Sequence, residues 1–351
     1  MNKIVNAMVI VLVAVLICAQ VPAAKAESGL KTISLVYSDH SLPDIGGVHF
    51  FKNEYIPKIQ KELAKIGYKL DITFHHAESL YKYAEQVQAC ADGHVDITLF
   101  SISYDAERAP LHQILDMPLV GFQEQSANQA WFELQETIPE FGAELGEFKE
   151  ICHFSALPNA FNTNKPVRVP EDFKGLKINA AGMTADMLKS AGADIVMLMP
   201  SEWHSALESK AIDGVAMGIS GIPMYKLQDV IQYHIQPSGD SLGLNGTSFI
   251  MNREKFESLP AGVQKVIDDN VMWASKKLTA MEVSNIPKQV EICKKSGNEV
   301  ISLTSTEMMK WYILIRPLHQ RWIRKMEAMG LPGKKVYDEA KRLAEKYKAE
   351  E

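Results

Sequence analysis

Cysteine is scarce in this chain: four residues in 351. None of them forms a CxxC pair or a Cys/His spacing suited to a metal. Cys18 falls in an N-terminal leader, which leaves Cys90, Cys152 and Cys293. Three distant cysteines allow one disulfide at most, so no disulfide framework holds this fold, and at least one thiol is expected free and buried. Spanning helices are lacking too. The apolar run Met8 to Cys18 is shorter than the about 20 residues a bilayer requires. There is no P-loop, no G-x-G-x-x-G and no H-E-x-x-H, the signatures of nucleotide binding and zinc proteolysis. No metal or other cofactor is expected. No internal repeat of 20 to 50 residues and no low-complexity tract occurs.

Positive charge is also in short supply. The chain carries 37 Lys and Arg against 43 Asp and Glu, a formal charge of −6. Lys3, the apolar run and Ala24-Lys25-Ala26 compose a secretory leader over residues 1–26, with cleavage expected after Ala26. Removing it takes Lys3 and Lys25 and no acid, so 35 bases stand against 43 acids and the charge becomes −8. Nucleic acid and anionic membrane surfaces are poor partners for such a protein. After cleavage, no direct membrane insertion is expected and the location is periplasmic.

The remaining chain is ordinary in composition and long enough for two lobes. It opens as β-α-β. Ile33 to Tyr37 is a strand, and Val48, Phe51, Tyr55, Ile59 and Leu63 share a helical stripe. Tyr68, Leu70, Ile72 and Phe74 alternate with polar residues as in a strand. A helix over Leu80 to Ala91 is stopped by Gly93, and Val95 to Phe100 is a third strand. The pattern restarts with a strand over Leu176 to Asn179, a helix near Met183 to Ala191 and a strand at Ile195 to Met199. A helix capped by Ser201 and a strand at Val215 to Met217 follow. Pro260 opens a long helix that Pro287 is expected to kink, and a last helical stretch breaks near Gly330 to Gly333. Alternation of this kind predicts largely parallel sheets with helical cover. The fold class is α/β, with two lobes and a hinge cleft, and ligands of such sheets sit beyond the carboxyl ends of the strands. The lobes are expected over residues 27–155 with 244–284 returning, and 156–243 with 285–351 completing.

Two motifs invite other readings. Gly239-Asp240-Ser241-Leu242-Gly243 matches both G-x-S-x-G and the GDSL block of some esterases. A nucleophile elbow needs a helix after the serine, and Asn245 to Phe249 reads instead as a turn and strand. No Asp-x-x-His follows, since Arg316 stands three before His319. His75-His76 lie at a strand end and point to opposite sides, so they are expected as a solvated pair.

A set of short blocks, in order along most of the chain, resembles the extracytoplasmic solute receptors of TRAP transporters, the C4-dicarboxylate-binding type. These are Pro170-Glu171-Asp172-Phe173-Lys174-Gly175-Leu176-Lys177-Ile178, Ala191-Gly192-Ala193, Ser201-Glu202-Trp203-His204-Ser205-Ala206-Leu207-Glu208 and Ile212-Asp213-Gly214. Ser79-Leu80, Gly93 to Asp96, Leu115-Asp116-Met117-Pro118, Met251-Asn252 and Leu259-Pro260 add to the set. The resemblance implies two α/β lobes with a long helix spanning both, a small-molecule ligand and membrane permease subunits as partners. It implies a receptor and no enzyme activity. An exported GDSL-like serine esterase, and a receptor for an ABC importer or a sensor, are the alternatives.

The resemblance also shows departures. The family places a carboxylate-gripping arginine where this chain has Asn179, and a second near Asn159. It offers a polar group where this chain has Met217. Asparagine brings no charge, and losing a charge-assisted bond weakens carboxylate binding by about 1.5–3 kcal/mol. The cargo is therefore expected to be a polar, zwitterionic or sulfonate solute, an anion held by His40, His76 or Arg108, or a more apolar molecule lined by Tyr37, Phe161, Trp203 and Met217. Strand-end geometry adds Ser220, Tyr37, Ser38, His40, Glu78, Ser101 and Tyr104 as ligand-binding candidates.

Overall fold

In a computed structural model, residues 29–43, 46–158, 160–237 and 241–348 are described. The expected leader lies outside them. Among the described residues, eleven strands form two sheets. The first contains β1 (Lys31–Ser38), β2 (Tyr68–His75), β3 (Ile97–Ser101), β4 (Phe148–Pro158) and β10 (Leu244–Asn252), in the order β2-β1-β3-β10-β4. The second contains β5 (Ala160–Thr163), β6 (Lys177–Asn179), β7 (Asp194–Val196), β8 (Gly214–Met217), β9 (Tyr233–Gln236) and β11 (Glu299–Ser302), in the order β11-β9-β5-β8-β6-β7.

The expectation of parallel sheets holds where strands and helices alternate. β1 runs parallel to β2 and β3, and β6 runs parallel to β7 and β8. It fails at the strands that pass between lobes. β10 is antiparallel to β3 and β4, and β5 is antiparallel to β8 and β9. The physical reason is connectivity. A chain returning from the other lobe enters a sheet from the cleft side, and therefore runs against the strands that end there. β4 leads into β5 across a single residue, and β9 leads back to β10.

A 35-residue helix, Ala261–Lys295, makes the third passage. It packs on β4 of the first sheet and touches β11 of the second. It continues through Pro287 as one element. The first helical stretch holds its predicted stripe, with Phe51, Tyr55, Ile59 and Leu63 all buried, but contains a π-helical turn over Phe51–Tyr55. Ser201 does not cap its helix. The Glu202 carboxylate accepts the Met199 N–H at 2.8 Å instead.

Each sheet is covered on both faces. Tyr37, Phe51, Ile59, Phe249, Val263 and Leu278 form one cluster of the first lobe. Phe100, Trp131, Leu134 and Phe141 belong to the other, and the C-terminal helix Gly333–Lys348 joins it through Val336, Ala340 and Leu343. That helix thus packs beside Glu124–Thr137 of the first lobe. In the second lobe, Phe161, Phe173 and Trp311 pack with Ile178 and Met187 on one face, and Trp203, Val215 and Ile222 on the other. Cys90, Cys152 and Cys293 are all free and buried.

Candidate functional site

The carboxyl ends of β1 and β3 in one sheet face those of β6 and β8 in the other across a cavity of about 200 Å3. The first lobe supplies His40, Tyr83, Ser101, Ser103, Tyr104, Phe154 and Asn245. The second supplies Thr184, Trp203, Met217, Ser220, Met224 and Tyr225, and the long helix adds Glu282. The cavity is bounded by aromatic faces in two groups. His40 meets Tyr83 edge-on at 4.4 Å between ring centroids, and Tyr83 meets Tyr104 at 5.1 Å. Opposite them, Trp203 and Tyr225 pack edge-on at 5.0 Å.

Local hydrogen bonds fix these side chains. Ser101 and Ser103 both donate to Asn245 Oδ1, at 3.0 and 3.3 Å. Trp203 Nε1 donates to Leu198 O at 3.1 Å. Asn179 Oδ1 accepts the Leu198 N–H at 2.8 Å, and its side chain also meets the Tyr104 hydroxyl across the cleft. A second bond crosses nearby, where Asp116 Oδ2 accepts the Met183 N–H at 3.1 Å in the first turn of the helix Gly182–Ser190. Gly182 has φ +56°, and a Cβ there would collide with Asp116 Oδ2. Only glycine suits that close approach.

The predicted candidates separate under this geometry. His40, Ser101, Tyr104, Trp203, Met217 and Ser220 line the cavity. Asn179 stands behind the wall, holding Tyr104 and the 198 backbone. Tyr37, Phe161, Ser38 and Glu78 do not line it. Tyr37 is fully buried, stacks on Phe51 and donates to Asp39 Oδ2 at 2.5 Å. Phe161 is core, against Phe173 and Trp311, because its position on β5 faces the helices of the second lobe. Ser38 is buried within β1. Glu78 accepts the Tyr83 N–H at 2.9 Å, so it anchors the helix that presents Tyr83. Asn159 lies outside the described residues, as do Gly239 and Asp240.

The cationic alternatives also resolve. Arg108 is engaged by Asp105, Glu147 and Gln88, away from the cavity wall. His76 is no solvated residue. Its Nδ1 lies 3.2 Å from the buried Asp39 carboxylate, which was not among the expected residues. His40 does line the cavity, but burial lowers its pKa to about 4 and keeps it neutral. No lysine or arginine is present among the described lining residues.

Sequence reasoning missed Tyr83, Ser103, Thr184, Tyr225, Asn245 and Glu282. Tyr225 could have been found, since it follows the Ser220 turn by one helical turn. Glu282 had no sequence signal, being one acid among many on a long helix. It is 6% exposed, has no hydrogen bond to another described residue, and burial raises its pKa to about 7. Burial pushes the Tyr225 hydroxyl up to about 12 and those of Tyr83 and Tyr104 well up, so these remain neutral donors.

Such a cavity offers hydroxyls, ring faces and one carboxyl, and can enclose a small solute. Ser241 hydrogen bonds the backbone of Gly243 and is followed by a strand, not by the helix of a nucleophile elbow. His319 is bound to the Pro118 carbonyl and the Tyr337 hydroxyl. Among the described residues no cluster of three His, Cys, Asp or Glu side chains is placed to hold a metal, and no helix is long and apolar enough to cross a membrane.

Comparison with known proteins agrees with this architecture. A solute-binding protein of Albidiferax ferrireducens is 25% identical over 248 residues, covering 68% of this chain and 71% of that protein. The C4-dicarboxylate-binding protein DctB of Bacillus subtilis is 24% identical, covering 74% of each. Among solved structures, a marine metagenome TRAP solute-binding protein specific for aromatic acids, holding 3-hydroxybenzoate, superposes with a TM-score of 0.82. It is 22% identical, and the match covers 90% of this chain and 99% of that one. A TRAP receptor of Bordetella bronchiseptica with bound mandelate gives 0.78 at 22% identity, covering 90% and 99%. The family model for bacterial extracellular solute-binding protein, family 7 (DctP), matches residues 52–325. The chain therefore belongs to the DctP family of extracellular solute-binding proteins, receptors and not enzymes.

Proposed function

We propose that this protein captures one small organic solute in the cavity between its sheets and delivers it, lobes closed, to the membrane subunits of a TRAP importer. The observation that carries this reading is the convergence of strand carboxyl ends from both sheets on one cavity, with β4, β10 and the long helix contributing to its lining. That is the construction of a hinged clamp. The first lobe comprises residues 27–155 and 244–284, with the C-terminal helix riding on it. The second comprises 156–243 and continues from 285. The leader directs export and is cleaved after Ala26, so the mature protein starts at Glu27.

Side chains support particular roles. Trp203 and Tyr225 provide one wall, and Tyr83, Tyr104 and His40 the other. Ser220, 3% exposed and with its Oγ unpartnered, is available to a solute's polar group. Met217 and Met224 supply adaptable apolar contact. Asn179 acts by holding Tyr104 rather than by gripping a carboxylate.

Thermal-shift screening of the mature protein against organic acids, sulfonates, amines and polyols tests the reading. A true ligand at 100 times its dissociation constant adds about 2.7 kcal/mol, and Trp203→Ala removes that gain. Failure of every class to bind, together with unchanged uptake in a strain lacking the gene, would sink it.

A further inference from the structure

Within this receptor reading, we propose that the solute is a cation: an ammonium or related nitrogen group seated against the Glu282 carboxylate and the faces of Trp203, Tyr225, Tyr83 and Tyr104. Glu282 lines the cavity, is 94% buried by its 6% exposure, and bonds to no described residue. Its Oε1 lies 3.4 Å from where a Cβ on Gly46 would stand, and the Met224 methyl lies 3.1 Å from the same point. A buried carboxylate without a partner is costly, and a ligand cation supplies the partner. Ring faces attract cations through their quadrupoles, and an enclosed set of tyrosines and a tryptophan is suited to ammonium groups.

The same features oppose an anion. No lysine or arginine is present among the described lining residues, and the one imidazole there, His40, is neutral. A ligand carboxylate would meet Glu282 with no countercharge in the wall. The other titratable groups lining the cavity with Glu282 are His40, Tyr83, Tyr104 and Tyr225, none of them charged near neutrality. Burial holds a share of Glu282 protonated near pH 7. Cation binding then displaces that proton to solvent, one charge replacing another.

The test is calorimetry on the full mature chain with matched probes: butylamine and benzylamine against pentanoate and benzoate, with tetramethylammonium as a quaternary probe. The expected result is that at least one amine binds about tenfold or more tighter than its isosteric acid. Its binding heat changes with buffer ionisation, reporting proton release. Glu282→Gln, which keeps the size and removes the charge, lowers amine affinity about tenfold and abolishes the proton release. Should Glu282→Gln misfold, Tyr225→Leu serves instead, lowering amine affinity more than that of the isosteric acids. Acids binding more tightly than amines, or Glu282→Gln leaving amine affinity intact, overturns the inference while the receptor reading stands. Binding of no probe of either sign overturns it as well, and only failure of the wider screen then reaches the receptor reading.

Discussion

Glu282 and His40 face one cavity, and burial moves their titrations in opposite directions. Glu282 is raised from 4.5 to about 7 and His40 is lowered from 6.5 to about 4. Between the ordinary and the raised value, folded Glu282 binds more protons than the unfolded chain does. Its contribution to stability therefore falls as pH rises through that window and is least above the folded value. His40 is the reverse case, losing stability as pH drops from its ordinary value toward about 4. The empty protein with Glu282→Gln is expected to gain stability over the native chain as pH rises. The difference grows to the order of 3 kcal/mol near pH 8. Urea denaturation at acid, neutral and mildly alkaline pH reads it directly. A pH-independent difference would mean that Glu282 ionises normally. Neither behaviour is legible in the sequence, because a residue's neighbours across a cleft leave no local pattern.

Among the elements, the helix Gly182–Ser190 is the most instructive, since its first turn is completed by the other lobe. Gly182 combines a positive φ with contact to Asp116 and Ser103. Gly175 also has a positive φ, +75°, but open space around it. Gly175→Ala is expected to cost only backbone strain, about 1–2 kcal/mol. Gly182→Ala costs that plus the collision, and so must be clearly larger in chemical denaturation. Equal losses would show that the contact with Asp116 is unimportant. Element type was readable wherever periodicity was strong: the β2 alternation, the stripe from Val48 to Leu63, the break between Ala328 and Gly333. Of the crossing strands, β4, β5 and β9 were missed, while β10 was read over Asn245 to Phe249 as a turn and strand. β5 and β9 are four residues each, too short for a period to emerge, and their direction depends on where the chain comes from.

For the whole molecule, the bonds between lobes decide how it opens. Asp116 to Met183 and Tyr104 to Asn179 join residues far apart in sequence, and both break if the cleft widens. Asp116→Ala is expected to shift the empty protein toward an open form, raising the radius of gyration in small-angle scattering. Ligand restores the compact form at a weakened affinity, since binding must then also drive closure. A compact Asp116→Ala protein with native affinity would rule this bond out as a latch.

The sequence by itself determined the export leader as an expectation, the α/β alternation, its restart near residue 172 and the family, because these are written in local periodicity and ordered short blocks. It also marked Asn179 as a departure, which turned attention from dicarboxylates. Tertiary structure alone decided which candidates meet. Phe161 and Tyr37 went into cores while Trp203 and Tyr104 faced the cavity, although all four are aromatic residues near strand or helix ends. It also brought Glu282, from the middle of a 35-residue helix, to a cavity built by strand ends from both lobes. Burial in that cavity, and the absence of a cation from its described wall, are properties of three-dimensional surroundings. No window along the chain contains them.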